Sequence, residues 1–362
     1  MTNDTQIYRN LQAHLDELPV GFPATKSGVE IRILKHLFTP EEAKLALQLS
    51  MMPEPLDRIH ARFDKGKITA EELEGALDRM AEKGAIGRIK IAERRQYCLI
   101  PFAVGMYELQ VDRLTEGFAR DAKLYLEGEF GDELWRTKIP QLRTVPVRKS
   151  IAVPEKFNVS SYDDIRRIIE NVGGAIAVIN CICRQTRRAI GENCTRTDLR
   201  ETCISFRGAA DRAVKQGIGR YLSKDEALAL LDKVQEAGLV IQPENTEHPS
   251  YVCCCCGDCC GILTTVKRFP RPAELYASNY YAEVDPGLCT GCGICVSLCQ
   301  LDAITIPDDV AVVNLDRCIG CGNCVACCEF DAGHLRKKEA EMVPPQNKVA
   351  LYTKIMVKKV SK

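Results

Sequence analysis

Apolar positions recur at helical spacing early in the chain, then give way to strand-like runs and finally to turn-rich segments. From Glu30 to Ser50 the spacing of Ile31, Leu34, Leu37 and Phe38 predicts one helix, broken by Pro53 and Pro55. A second helix is predicted over about Leu56 to Phe63. Thr69-Ala70-Glu71-Glu72 is a capping box, in which hydroxyl and carboxylate each satisfy the other residue's backbone amide. It opens a third helix whose apolar face carries Leu73, Ala76, Leu77 and Met80, with Gly84 beyond its end. Gly87 to Ile91 and Gln96 to Phe102 then read as two strands turning at Glu93-Arg94-Arg95. Met106 to Leu126 reads as a long helix.

Three helices followed by a hairpin resemble a winged-helix domain. Part of that phrase recurs downstream at a constant offset. Ser223-Lys224-Asp225-Glu226 is another capping box, and Leu231, Asp232, Glu236 and Gly238 match Leu77, Asp78, Glu82 and Gly84. This predicts a second winged-helix-like half whose returning strand, after Tyr251-Val252-Cys253, has become a cysteine-rich loop. Between the halves, Pro140, Pro146 and Pro154 lead to a helix starting at Ser160-Ser161-Tyr162-Asp163 and ending near Gly173-Gly174. Ala175 to Ile179 is a continuous apolar strand running into Cys181. After Pro270 and Pro272 come two cysteine loops with β-forming residues at Ala303 to Ile306 and Val310 to Val313. Val343 to Lys362 is a Pro-Pro break followed by a basic amphipathic stretch.

The expected class is α+β, in five segments. Residues 1–25 form an N-terminal segment, and 26–145 a winged-helix-like domain plus the long helix. Residues 146–277 form a cysteine-rich α/β module, 278–338 a ferredoxin-like two-cluster domain, and 339–362 the basic tail.

Lys+Arg and Asp+Glu balance at 49 each, so net charge gives no general argument for a nucleic-acid or membrane partner. No apolar run approaches the roughly 20 residues that span a bilayer. The polar start, Met1 to Asn10, lacks the apolar stretch of a secretory leader. A reducing compartment then favours metal ligation over disulfides for the 20 cysteines, and points to the cytoplasm of an anaerobe.

The cysteines carry the chemistry. Two runs, Cys289-x-x-Cys292-x-x-Cys295-x-x-x-Cys299 and Cys318-x-x-Cys321-x-x-Cys324-x-x-x-Cys328, have the spacing that holds 4Fe–4S cubanes. In that arrangement three close cysteines take one cluster and the fourth takes the other. One set is therefore Cys289, Cys292, Cys295 and Cys328; the other is Cys318, Cys321, Cys324 and Cys299. Zinc ribbons use two separated Cys-x-x-Cys knuckles, and each run here already holds four cysteines. Gly291, Gly293, Gly320 and Gly322 allow tight bending around the inorganic core. The stretch resembles bacterial-type two-cluster ferredoxins. It departs from them after the fourth cysteine, where the usual proline is Gln300 in one copy and Glu329 in the other. Cys327 is surplus and reads as a packed thiol, as does Cys98.

Further candidates are Cys181, Cys183, Cys194, Cys203, Cys253, Cys254, Cys255, Cys256, Cys259 and Cys260, more than one cubane needs. The preferred first set is Cys181, Cys183 and Cys203 with members of the Cys253–Cys260 loop, leaving Cys194 for a second site. Arg184, Arg187 and Arg188 can offset thiolate charge, and a solvated helix face suits the last two at least as well. A Cys-x-Cys-Arg segment and a polycysteine loop ahead of a two-cluster ferredoxin resemble multi-cluster iron–sulfur proteins of anaerobic bacteria, a resemblance that implies clusters and no particular substrate.

No other catalytic constellation stands out. His14, His36, His60, His248 and His334 are scattered, and no Gly-rich phosphate loop is present. The expected function is single-electron relay through the two ferredoxin clusters and one or two further iron–sulfur clusters, as a subunit or partner of an anaerobic oxidoreductase. The expected partners are a redox enzyme or electron carrier and a second copy of the chain, with the tail available to a membrane surface. One alternative is a redox-sensing DNA-binding regulator. It is disfavoured because Glu71, Glu72, Glu74, Asp78 and Glu82 on the third helix would repel phosphates. The other is a catalytic middle site with an iron lacking one thiolate.

Overall fold

Asp112 and the Thr39–Pro40 step decide how the first part of the chain is divided. The computed structural model describes residues 3–64, 66–151 and 159–361, so the expected break at Pro154 lies outside them. Helix makes up 43% and strand 16%, an α+β content. The chain separates into two units, Met1–Leu134 and Trp135–Lys362.

In the first unit, α1 (Asn3–Asp16) precedes α2 (Val29–Leu37) and α3 (Pro40–Ala46). The apolar spacing predicts a single helix here, but Thr39 is extended ahead of Pro40 and caps a new helix reciprocally with Glu42. There follow β1 (Glu54–Pro55), α4 (Leu56–His60), α5 (Ala70–Glu82) and the hairpin of β2 (Gly87–Ile91) and β3 (Arg94–Cys98). These strands pair antiparallel in the order β1–β3–β2. The hairpin turns at Ala92 and Glu93, both at positive φ, because such a two-residue turn matches the strand twist. Strand β3 ends at Cys98, short of Phe102, since the Leu99 N–H leaves the ladder for the Ser50 carbonyl. Helix α5 buries Leu73, Leu77 and Met80. The expected long helix starts only at Glu116: Asp112 has φ 61°, outside any continuous helix, and Thr115 caps α6 (Glu116–Glu127) afresh. Phe22, Phe102, Tyr125 and Phe130 pack edge-on or tilted beside α6 and α7 (Glu129–Arg136), with centroids 4.9 Å apart for Phe22 and Tyr125.

The second unit opens with residues 142–145 and α8 (Arg148–Ile151). Asp164 caps α9 (Ile165–Asn171), accepting from the Arg166 amide at 3.0 Å, so the helix begins later than Ser160. Then come β4 (Ile176–Asn180), α10 (Ile182–Ala189), β5 (Glu201–Phe206), α11 (Gly208–Lys215), β6 (Gly219–Leu222), α12 (Lys224–Glu236), β7 (Val240–Pro243), β8 (Tyr251–Cys255) and α13 (Gly261–Val266). The strands form one antiparallel sheet, β6–β4–β5–β8–β7. Val178, Ile204, Val252 and Ile241 lie on one face and join Ile165, Ile169, Leu231 and Val234 of α9 and α12 in a buried core. Alternation along β5 and β8 sends Cys203, Cys253 and Cys255 to the opposite face.

The repeated phrase takes the same backbone form twice. Gly84 and Gly238 are both left-handed, and the next amides reach five residues back, Ala85 to Met80 at 2.9 Å and Leu239 to Val234 at 3.1 Å. The returning segment is not the loop expected: it is β8, held by β7 on one edge and β5 on the other.

The last third carries β9 (Tyr280–Val284), α14 (Ile294–Leu298), β10 (Ile304–Thr305), β11 (Val312–Val313), α15 (Asn323–Ala326) and β12 (Gly333–Lys337). Strand β9 pairs with β12, and β10 with β11. Asn347 caps α16 (Lys348–Val360), which buries Leu351, Tyr352 and Ile355 within this unit and leaves Val357 and Val360 exposed. No helix among the described residues is long and apolar enough to cross a membrane.

Candidate metal centres

The two cysteine loops near the C-terminus have the same backbone. Gly291 and Gly320 have φ 67° and 66°, and Gly293 and Gly322 have φ 82° and 77°; the latter two begin α14 and α15. Corresponding amides also point at sulfur: Ala311 N–H donates to Cys289 Sγ at 3.3 Å, and Ala282 N–H to Cys318 Sγ at 3.4 Å. Each therefore crosses to the other copy's first cysteine. One open-mouthed cavity of about 500 Å³ is lined by Cys289, Cys292, Cys295 and Cys328, and by Cys324 and Cys327 as well. A second, of about 410 Å³, is lined by Cys299, Cys318, Cys321 and Cys324. At least four thiols around each void, with amides aimed at sulfur, suit a 4Fe–4S cubane in donor type and number. The Cys327 thiol donates to the Cys324 carbonyl at 3.3 Å, which gives it a partner apart from any cluster.

The environments of the two cavities differ. Cys292 is exposed, and Ile294 and Phe330 at the first cavity are 39% and 46% exposed. The four cysteines of the second cavity are all part-buried. Burial pushes the Cys321 thiol up to about 12 and the Cys324 thiol up as well. The Cys321 carbonyl accepts the Val147 amide at 3.0 Å, and Asn323 Nδ2 donates to the Gly238 carbonyl at 2.8 Å.

On the sheet face opposite the core, six thiols form a chain of neighbours. Cys203 Sγ lies 3.9 Å from Cys253 Sγ across β5 and β8. Cys253 contacts Cys255, Cys255 contacts Cys260, Cys260 contacts Cys183, and Cys183 contacts Cys181. Cys181 and Cys260 stand at the N-termini of α10 and α13, where the Arg184, Gly261 and Leu263 amides point at sulfur. Cys254 stands apart: strand alternation buries it in the hydrophobic core beside Ile241 and Val252.

A separate group gathers where β8 turns toward α13. Cys194 Sγ is 3.7 Å from Cys256 Sγ, and Cys259 joins them, so the structure parts Cys256 and Cys259 from Cys255 and Cys260. The fourth member is Asp258, whose Oδ2 accepts from the Thr195 amide at 2.7 Å and the Thr195 hydroxyl at 2.9 Å. Burial works against the Asp258 charge, but hydrogen bonds from Cys256 and Thr195 hold the carboxyl well below its ordinary range. A thiol hydrogen bond from Cys259 draws Cys256 down to about 6. Arg184 is buried between the two thiol groups, donating to Thr202 Oγ1 at 2.5 Å and the Cys254 carbonyl at 3.2 Å. Burial opposes its charge, while Cys181, Cys256 and Cys255 favour it. Arg187 pairs instead with Glu192 on the surface at 2.5 Å.

Two residues escape sequence reasoning. Asp258 reads as a turn residue between cysteines, and only a Cys-x-Asp-Cys grouping hints at ligation. Gln300 stands where related ferredoxins have proline, and here it is buried. Its Oε1 accepts the Gly257 amide at 2.7 Å, and its Nε2 donates to the Gly238 carbonyl at 2.9 Å. One side chain thus joins the residue after Cys299 to the polycysteine turn and to the end of α12. Gln300→Pro would take away the Gly257 amide's acceptor and leave the Gly238 carbonyl with Asn323 Nδ2 as its donor. It is expected to lower the stability of the second unit by about 1–3 kcal/mol in denaturant unfolding, with iron content unchanged.

Residues 282–305 match Fer4, the 4Fe-4S binding domain. The match covers the first cysteine loop. The chain matches no curated protein and no solved structure. The class of protein follows at the coarse level: a cysteine-rich chain with a 4Fe–4S binding domain and an iron–sulfur electron-transfer character.

Proposed function

We propose that the protein is an electron-transfer component of an anaerobic oxidoreductase, with two ferredoxin-type 4Fe–4S clusters and a further iron–sulfur centre on the six-thiol face. The observation that carries this reading is the pair of cavities lined by cysteines drawn from both loops, six at the first and four at the second. When bound, the clusters supply one-electron storage; the chain's own residues determine where that charge can enter and leave. The Cys289 set opens to solvent between Ile294 and Phe330, an apolar rim that a redox partner can cover. The Cys318 set is flanked by Val147, Ser150 and the end of α12. The exposed Cys292 end is where the relay has its exit in this reading.

The order of elements α2, α3, β1, α4, α5, β2 and β3 supports reading residues 26–104 as a winged helix. Its charges oppose a nucleic-acid role. Asp78 accepts from Arg88 at 2.7 Å, Arg95 at 2.6 Å and Tyr97 at 2.8 Å, so α5 already occupies two of the hairpin's three arginines. A protein-docking use of this domain fits the pattern better than phosphate binding.

Anaerobic purification with iron and sulfide analysis tests the relay. The ferredoxin pair alone requires about eight irons, and the six-thiol face adds about four. Cys299→Ala and Cys318→Ala, though in different loops, are expected to remove the same EPR signal after reduction. Loss of different signals would overturn the crossed assignment, and a colourless iron-free chain would overturn the relay.

A further inference from the structure

The group of Cys194, Cys256, Asp258 and Cys259 is set apart by spacing. All four ligand atoms lie within 4.8 Å of one another, the one such set of Cys, His, Asp or Glu among the described residues. Cys194 Sγ is 3.7 Å from both Cys256 Sγ and Asp258 Oδ1. A tetrahedral ion with metal–sulfur bonds of about 2.3 Å places its ligand sulfurs about 3.8 Å apart. The six-thiol face has comparable pairs, such as Cys203 and Cys253 at 3.9 Å, but no three of its sulfurs gather within 4.8 Å of one another as a single ion requires.

We propose that Cys194, Cys256, Cys259 and Asp258 bind a single divalent ion, zinc, in a tetrahedral three-sulfur, one-oxygen site distinct from the iron–sulfur centres. The donor set suits a borderline-soft ion without redox chemistry. The second shell is already built. Thr195 fixes Asp258 Oδ2 through two hydrogen bonds and leaves Oδ1 turned toward Cys194. Three thiolates and a carboxylate outweigh the ion's charge, and the buried Arg184 guanidinium lies beside them as counter-charge.

The ligands also say what the ion holds together. Cys256, Asp258 and Cys259 belong to the turn after β8, pressed against Gln300 through Gly257. Cys194 belongs to the largely exposed segment 190–200. In that segment Arg196 donates to the Ser297 carbonyl of α14. The ion pins this segment to the sheet and, through Arg196, steadies the first ferredoxin loop. The site goes beyond the relay and stands independently of it, since zinc content is read without any electron transfer.

The test uses the full chain, purified anaerobically, with metal analysis and X-ray absorption at the zinc edge. The expected result is about one zinc per chain with three sulfurs near 2.3 Å and one oxygen at about 2.0–2.2 Å. In Cys194→Ser/Asp258→Ala, zinc should fall at least tenfold with iron and sulfide unchanged. Asp258→Cys should keep the zinc and change its shell to four sulfurs, which guards against a double variant that fails to fold. About one iron without matching sulfide, lost in the same double variant, would support the single-ion site and replace zinc as occupant. Zinc content unaffected by both variants, or loss of about four irons and four sulfides from the double variant, would overturn the proposal.

Discussion

Gly320→Ala is expected to yield a chain with about four fewer irons than the wild type, and without the signal of the Cys318 cluster. Gly320 has φ 66°, and a methyl group there would lie 2.2 Å from the Tyr280 carbonyl oxygen and 2.6 Å from its carbon. Backbone cannot swing aside as a long side chain can. Tyr280 begins β9, which is fixed in register against β12, and two residues on Ala282 N–H reaches Cys318 Sγ. The added methyl must therefore displace either the strand or the loop that carries Cys318 and Cys321. Gly117→Ala is the control: it lies in α6 with no atom within 4 Å of the added carbon, and should raise stability by about 0.5–1 kcal/mol. Iron and sulfide assays with EPR of the reduced protein decide the matter. Full iron content and an unchanged spectrum in Gly320→Ala would mean that this loop does not hold a cluster.

Asp163→Asn should destabilise the second unit by about 3–5 kcal/mol, measured by denaturant or thermal unfolding. Arg143 and Asp163 both have fully buried side chains and form an ion pair. Burial disfavours charge on both, pushing Arg143 down and Asp163 up, while each partner's charge pulls the other back. The Tyr162 ring covers the guanidinium, with Arg143 Cζ 4.9 Å from its centroid, and Asn279 Nδ2 donates to Asp163 Oδ2 at 2.7 Å. Asn279 Oδ1 in turn accepts the Met342 amide at 2.7 Å. The pair thus anchors the start of β9 and the segment before α16. Removing the carboxylate's charge leaves a buried cation without its counter-ion, whereas Arg143→Met/Asp163→Leu removes both and should recover most of the loss. Equal destabilisation by the single and double variants would show that shape, not charge, is what the pair supplies.

Cysteine spacing alone groups Cys289, Cys292 and Cys295 with Cys328, and the fold brings those four around one cavity. That much was legible because ligands crowded into one short loop leave little conformational choice. The capping boxes at Thr69 and Ser223 were legible for the same reason, being complete within four residues. Features closed over long separations were not. The partners of Gln300 lie 43 and 62 residues away, and the missing proline marks the position without showing what the side chain binds. The split of the polycysteine run has a local signal: Cys253, Cys254 and Cys255 lie on β8, so alternation fixes their faces, whereas a loop at this place would leave them undivided. Thr39–Pro40 likewise outweighed a helical apolar pattern that otherwise ran to Ser50.

The glutamine after Cys299 bears on how interchangeable the C-terminal portion is. A free-standing ferredoxin grafted in place of residues 278–338 could bring every iron ligand and still miss its mooring, because a proline at that point offers neither an amide donor nor a side-chain acceptor to the host. The Gln300 amide is one of the keys that fit the cassette to its neighbour, beside Asn323 on Gly238 and Cys321 on Val147. Any transplant that ignores this key should yield a portion that loads its metal but sits loosely on its host.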